Sequence, residues 1–270
     1  MRAASTGGVV RLAAGISLLL STFCVLPAGA AAPTLADIEI CMRANVPAAL
    51  QVREFSLISS DKSGAERTLK GRLFAQRENG RLRSMMKVEA PLDLRGAAYL
   101  LRESDGGQQD AMYVFLPALN KTRRIVGGSQ DSPMFGTDIS YADIKHIHSA
   151  FVAGSVTIEK TETYAQRDTT VLALKPDAQQ QSQFTLIRSW IDRKSCVALR
   201  ADFLHDDQLR KRYVARPEDL RQSGVHWYAE SALVEDLIAG SKTRIQLSGV
   251  KSPPDLPSNY FNPRSFQLAN

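Results

Sequence analysis

From Val52 to Glu89 the chain reads VREFSLISSDKSGAERTLKGRLFAQRENGRLRSMMKVE. Polar and apolar side chains alternate within it, so that Phe55 and Leu57 share one face, as expected of a half-buried strand. Two groups of turn residues, 61–64 (DKSG) and 78–80 (ENG), interrupt the alternation. The pattern predicts three antiparallel strands, over residues 52–59, 66–77 and 81–89.

The same alternation continues on both sides of a long connection at residues 127–144. Further strands are predicted at 97–102, 111–116, 122–126, 155–163, 169–175, 184–191, 196–204, 209–214, 226–229 and 242–250. A short amphipathic helix over 35–42 follows the cap residue Thr34, and an extended tail is predicted over 255–266. Many short strands with few helices predict a mainly β chain (α+β), whose antiparallel sheet forms a barrel or half-barrel.

The first 30 residues have the composition of a signal peptide. Arg2 and Arg11 form a basic start, residues 12–26 are apolar, and Ala28–Ala30 supplies small residues at the cleavage positions. We therefore predict export to an oxidising compartment, with residues 1–30 removed and a mature chain that begins near Ala31.

Two other roles for this N-terminal segment are weaker alternatives. An apolar run of about 15 residues is shorter than the roughly 20 that span a bilayer, which disfavours a permanent anchor. Cys24 is a candidate for lipid attachment, but the bulky Phe23 precedes it where a small residue is required.

The length of residues 31–270 suits one large β domain or two small ones, and because no internal linker is visible we predict a single domain. They contain two cysteines, Cys41 and Cys196. An even number of cysteines in an oxidising compartment predicts a disulfide between them, and two separate buried thiols are the alternative. The formal net charge of +6 falls to about +4 without Arg2 and Arg11, and charges of both signs are interspersed. This pattern does not favour nucleic-acid binding, whereas transient attraction to a membrane surface stays open.

The connection at 127–144 is longer than compact domains usually carry without a purpose, which favours a lid. Its second half predicts a helix from Tyr141 to about His148, with Tyr141, Ile144 and His148 on one side. The alternative is a surface excursion that plugs one end of the barrel.

The sequence YVFLPALNKTRRI (113–125), followed by MFGTDISYAD (134–143), resembles the outer-membrane lipoprotein-sorting protein family, which is similar to the Lol-type periplasmic lipoprotein carriers. APLDLRG (90–96) and LPSNYFNPR (256–264) fit the same family. The resemblance implies an incomplete, strongly curved antiparallel barrel with helices over its open side. It also implies a carrier that holds a lipid or lipoprotein acyl chains and shuttles them between inner and outer membrane.

A transporter of the resistance-nodulation-division (RND) type is implied as a partner, because members of the wider group often accompany one. The alternative function is an accessory subunit that docks on such a transporter without carrying cargo. Neither the residues nor the resemblance identifies the cargo.

A carrier needs an apolar wall, since burial stabilises by about 25 cal/mol per Å² of apolar surface. The alternating strands supply such stripes, and Phe135 and Tyr141 of the lid are placed to close over a ligand. The candidate lipid-binding residues are Phe55, Leu57, Leu73, Met86, Val88, Met112, Val114, Leu116, Phe135 and Tyr141. The alternative is that the same stripes form an ordinary filled β core.

Arg123 and Arg124 are neighbours on a predicted strand, so one of them is expected to point inward. An inward arginine needs a partner. We predict that it pairs with Asp138 or Asp143 and pins the lid, with contact to a ligand head group as the alternative.

No catalytic constellation is evident in the sequence. There is no Gly-x-Ser-x-Gly elbow and no phosphate-binding loop. His146 and His148, with Asp143 nearby, are the sharpest metal-site or hydrolase candidate, but a helix would point the two imidazoles apart. We predict that the protein is not an enzyme and uses no cofactor or metal.

Overall fold

The computed structural model describes residues 1–4, 7–8, 33–104, 109–147, 154–252 and 258–268. The predicted apolar core of the signal peptide and Cys24 lie outside these residues. The elements, in chain order, are α1 (Leu35–Ala44), β1 (Gln51–Ser60), β2 (Glu66–Glu78), β3 (Arg81–Ala90), β4 (Ala98–Arg102), β5 (Ala111–Leu116), β6 (Lys121–Ile125), α2 (Asp143–Ile147), β7 (Gly154–Tyr164), β8 (Arg167–Pro176), β9 (Leu186–Asp192), β10 (Ala198–His205), β11 (Gln208–Val214), β12 (Leu220–Ser223), β13 (His226–Ala229), β14 (Ser231–Asp236) and β15 (Ser241–Lys251).

Thirteen of these strands form one antiparallel sheet in the order β6-β5-β4-β3-β2-β1-β15-β14-β11-β10-β9-β8-β7. The first six strands form a meander on one side, and β1 joins them to the second half through its pairing with β15. The edge strands β6 and β7 are not paired with each other, so the sheet is an open half-barrel. The connection between them starts at one edge of the sheet and ends at the other.

Hairpin turns at the predicted positions fix the register of the first half. Asn79 and Gly80 have φ of +51° and +76°, the left-handed conformation that a two-residue turn between twisted strands requires. Leu73 therefore pairs with Met86, and Phe74 with Met85. Because neighbouring residues of a strand point to opposite sides, Leu73 and Phe74 belong to different faces of the sheet.

Helix α1 is fixed at both ends. Thr34 and Asp37 form a capping box at its N-terminus, and the buried Ile38 packs with Leu172 of the sheet. The predicted disulfide is confirmed: Cys41 is bonded to Cys196, with 5.8 Å between the two Cα atoms.

The predicted strands are confirmed with bounds that differ by at most two residues. The predictions missed β12 and β14. A single residue, Glu230, separates β13 from β14, and no glycine or proline marks the break. Strands β12 and β13 form a separate two-stranded sheet, which only the tertiary structure distinguishes. Helix α2 has only five residues. Helices over the open side of the barrel, which the resemblance implied, are therefore not confirmed in the described residues.

The prediction of an extended C-terminal tail was wrong. Residues Ser258–Phe261 and Phe266–Leu268 form 3-10 turns that pack on one face of the sheet. The fully buried Phe266 lies in a cluster with Phe74 and Met85 there. We call this the outer face, and the opposite face, which bears Leu73 and Met86, the inner face.

Candidate functional site

The inner face carries one apolar cluster that extends over both halves of the sheet. All ten predicted lipid-binding residues belong to it or pack against it: Phe55, Leu57, Leu73, Met86, Val88, Met112 and Val114 are buried, and Leu116, Phe135 and Tyr141 are partly buried. The second half of the sheet, which the prediction left out, contributes Leu174, Phe203 and Val234 among others. That these side chains bind lipid stays a prediction.

Residues 127–147, which we call the plug, fill this face. Met134 and Ile139 are 0% and 1% exposed and belong to the inner cluster. A β-bridge between Pro133 and Ser140 closes a small loop around them, and the Met134 amide donates to the Ile139 carbonyl at 2.8 Å. The predicted lid therefore places its apolar side chains against the sheet.

Two carboxylates of the plug attach it to the second half of the sheet. Asp131 accepts a hydrogen bond from the Ser182 hydroxyl at 2.6 Å. Asp138 accepts one from the Thr243 hydroxyl of β15, also at 2.6 Å. Burial raises the pKa of Asp131, an effect that the Ser182 hydrogen bond opposes.

A third attachment ties α2 to the first half of the sheet and to α1. The Lys145 Nζ lies 2.7 Å from Asp110 and 3.6 Å from Glu103, which follows β4. Glu103 also pairs with Arg43 of α1 at 3.1 Å. Charged contacts thus hold the plug at both sides of the half-barrel.

The most buried charged contact joins the plug to β11. Asp143 of α2 pairs with Lys211, and both side chains are less than 9% exposed. The Ser140 amide donates to Asp143 at 2.7 Å, and the Lys211 Nζ lies 5.2 Å from the centre of the Phe203 ring. Asp143 Oδ1 is buried and has no hydrogen-bond partner among the described residues.

The predicted role of Arg123 and Arg124 was wrong. Both arginines are exposed, because β6 is an edge strand and both of its sides reach solvent. The cation that pairs with Asp143 is Lys211, and Asp138 is held by hydroxyl groups instead of an arginine.

A small cavity lies beside this ion pair. It holds about 30 Å³, which is room for about one or two water molecules. Asp143, Ser189, Lys211 and Tyr213 line it together with apolar side chains, namely Met42, Leu172, Leu174, Ile191, Val197, Ala198, Ala201, Phe203 and Val234. Burial raises the pKa of Tyr213. The cavity is thus a largely apolar slot with an ion pair in its wall.

Lys211 also lines a wider cleft of about 430 Å³. Asp131 and Asp138 of the plug and Arg210 of β11 take part in this cleft. The Arg210 Nε is buried without a hydrogen-bond partner among the described residues. Lys211 therefore lines both the small apolar slot and this wider cleft.

A second cation faces inward near the base of the sheet. Arg53 is 7% exposed and in phase with Phe55 on β1. Burial lowers its pKa to about 10. Its guanidinium lies 4.2 Å from the centre of the Tyr228 ring and donates to Gln51, and no carboxylate pairs with it among the described residues.

A larger cleft, of about 1050 Å³, has a different character. Its lining includes the charged residues Glu54, Arg72, Glu89, Arg216 and Arg244. Arg72 and Glu89 are paired at 2.6 Å. A surface of this kind lacks the continuous apolar wall that an acyl chain needs.

Lys211 and Arg53 were not among the predicted site residues. The sequence could have identified them, because residues two apart on a strand point to the same face. Lys211 is two residues from Tyr213, and Arg53 is two residues from Phe55, so each cation shares the apolar face of its strand. A charge in phase with an apolar stripe indicates a buried, paired or functional group.

The fold, an open antiparallel half-barrel with an apolar inner face, is similar to the folds of a LolA superfamily protein and of a lipoprotein-sorting domain. A DUF1329 family protein from Desulfovibrio piger is 23% identical to this chain, with a TM-score of 0.74. The match covers 84% of this chain and 95% of that protein. A domain assigned provisionally to outer-membrane lipoprotein sorting, from Vibrio parahaemolyticus, is 21% identical with a TM-score of 0.75 and coverages of 86% and 97%. A LolA superfamily protein from Nitrosomonas europaea is 18% identical with a TM-score of 0.64 and coverages of 86% and 98%.

Residues 80–267 match a family model whose description is "Uncharacterized protein", and the chain belongs to that family. No curated protein shows a significant match to the sequence. The likeness to the solved structures establishes the fold and leaves the ligand to be argued from the site.

Two further observations concern the described part of the chain. No helix there is both long and apolar enough to cross a membrane. The described residues also contain no group of His, Cys, Asp or Glu side chains that could hold a metal ion. His148 and the side chain of His146 lie outside what is described, so the metal-site alternative is not tested.

Proposed function

We propose that this protein is an exported carrier, not an enzyme, which shields an acyl chain of a lipid or lipoprotein against its inner face and moves it between the inner and outer membranes. The observation that carries the proposal is the continuous apolar cluster on the inner face of an open half-barrel. Export is supported by the composition of residues 1–30 and by the Cys41–Cys196 disulfide, because such bonds persist in oxidising compartments.

Binding of an acyl chain requires the plug to move. Ligand pockets usually hold about 300–1000 Å³, whereas the inner cavity holds about 30 Å³. The plug contributes Met134 and Ile139 to the same cluster that forms the wall, so a guest chain would take their place. Exchange of one apolar partner for another keeps the wall away from water in both states.

The transporter partner is a separate part of the proposal. An RND-type transporter is implied by the family resemblance, and no contact or surface in the described residues adds support to it. The accessory role at such a transporter therefore has no observation that favours it over the carrier role.

Adjacent methionines on β3 give a matched test of the inner face. Met86 is in the inner cluster and Met85 in the outer one, and both are buried. We expect Met86→Gln to weaken the binding of a fluorescent acyl-chain probe by about tenfold, because an amide against an acyl chain costs about 1–3 kcal/mol. Met85→Gln is expected to leave the affinity within about twofold.

Thermal unfolding of both variants should be measured beside the titration, since a buried amide lowers stability in either position. Comparable losses of stability with unequal losses of affinity support the inner face as the binding wall. Equal affinities for the two variants would contradict the proposal, as would the absence of probe binding to the unaltered protein.

A further inference from the structure

The geometry points to an anionic amphiphile as the guest: we infer that its negatively charged head group, a carboxylate or a phosphate, takes the place of Asp143 at Lys211 while its acyl tail occupies the inner face. This inference rests on the proposed carrier function and adds the class of cargo. It favours lipids with a charged head group as cargo over acyl chains that are attached to a protein through neutral ester or amide groups.

The position of Lys211 is the first argument. Tyr213 is in phase with Lys211 on β11, and the Phe203 ring of the paired strand lies 5.2 Å from the Lys211 Nζ. With 8% of its side chain exposed, the ammonium depends on a counter-ion, because an unpaired buried charge costs several kcal/mol. In the structure that counter-ion is Asp143.

Asp143 belongs to the plug, and this determines what an incoming guest must supply. If the plug leaves the inner face to admit a tail, Asp143 leaves with it and Lys211 loses its partner. A neutral guest would then leave the ammonium without the ion pair that it makes with Asp143. A guest with an anionic head exchanges one ion pair for another.

The charges around the wider cleft, of about 430 Å³, agree with an exchange of Asp143 for an anionic head group. Two of its acidic residues, Asp131 and Asp138, lie on the plug, as Asp143 does, whereas Arg210 and Lys211 lie on β11. Asp236 is the acidic residue of the cleft that stays on the sheet. Withdrawal of the plug thus removes three carboxylates and leaves two cations and one carboxylate, Asp236, on the sheet.

Two polar atoms at this position lack partners. Asp143 Oδ1 and Arg210 Nε are both buried without a hydrogen bond among the described residues. Arg210 lines the same cleft as Lys211, so a carboxylate or phosphate bound there offers acceptor oxygens on the side of the Arg210 guanidinium, while Asp143 is displaced to solvent. With the plug in place, both atoms therefore lack a hydrogen-bond partner. Replacement of Asp143 by the head group of the guest would offer a partner to each.

The test uses the full mature chain and three ligands with the same tail: dodecanoate, dodecyl phosphate and 1-dodecanol, each competed against a fluorescent acyl probe at neutral pH. We expect both anions to bind at least about tenfold more tightly than the alcohol. The comparison of dodecanoate with dodecyl phosphate identifies which anion the site prefers. Lys211→Met combined with Asp143→Leu, which removes both charges, is expected to abolish the preference, and Lys70→Met, at an exposed outer position, is expected to keep it.

The outcomes separate this inference from the function on which it rests. Equal affinity for the alcohol and the anions, or a preference that survives in the Lys211→Met/Asp143→Leu variant, would overturn the anionic head group while leaving the carrier intact. Failure of all three ligands to bind the unaltered protein would overturn the carrier itself. If the double variant does not fold, the ligand comparison on the unaltered protein decides the inference alone.

Discussion

Replacing Asp143 by leucine is expected to lower the free energy of unfolding by about 3–5 kcal/mol. The change leaves the Lys211 ammonium buried against Phe203 without its counter-ion. A buried charge that loses its partner is among the most costly single changes, because neither water nor protein dipoles then compensate it. Urea unfolding, followed by circular dichroism, measures the loss.

Two comparison variants isolate the ion pair from other effects of the substitution. Lys211→Met in the Asp143→Leu background removes the orphaned charge and should restore most of the lost stability, although the Ser140 amide still lacks its acceptor. Asp93→Leu breaks an exposed pair with Arg67, where losses are about 1 kcal/mol or less. A double variant that is as unstable as Asp143→Leu would show that the loss does not come from the unpaired lysine.

Removal of the Cys41–Cys196 disulfide is expected to cost about 2–5 kcal/mol. The bond joins residues 155 apart in the sequence, and a cross-link over a long loop restricts the unfolded chain strongly. It also holds α1, whose Met42 lines the inner cavity, against the sheet. Chemical unfolding with and without reductant, and of Cys41→Ala with Cys196→Ala, measures the contribution.

The double cysteine variant serves as the control for the reductant. Its stability should not respond to dithiothreitol, and it should equal that of the reduced unaltered protein. If full reduction, verified by mass spectrometry, leaves the unfolding midpoint unchanged, the disulfide does not stabilise this fold as expected. A loss of acyl-probe affinity in the double variant would further indicate that α1 helps to shape the slot.

The sequence by itself determined the local structure. Alternation places Leu73 and Met86 on one face, and the Asn79–Gly80 turn joins their strands, because side-chain direction and turn conformation depend on residues close together in the chain. The wall residues and the cysteine pair followed from such local patterns and from the count of cysteines.

Only the tertiary structure decided which distant surfaces meet. The pairing of Lys211 with Asp143, 68 residues away, replaced the predicted arginine partners, since the edge position of β6 leaves Arg123 and Arg124 in solvent. The tail packs on part of the outer face through Phe266, and the plug packs on the inner one. Such contacts depend on strand order and on the fit between separate apolar surfaces, and no local periodicity encodes these.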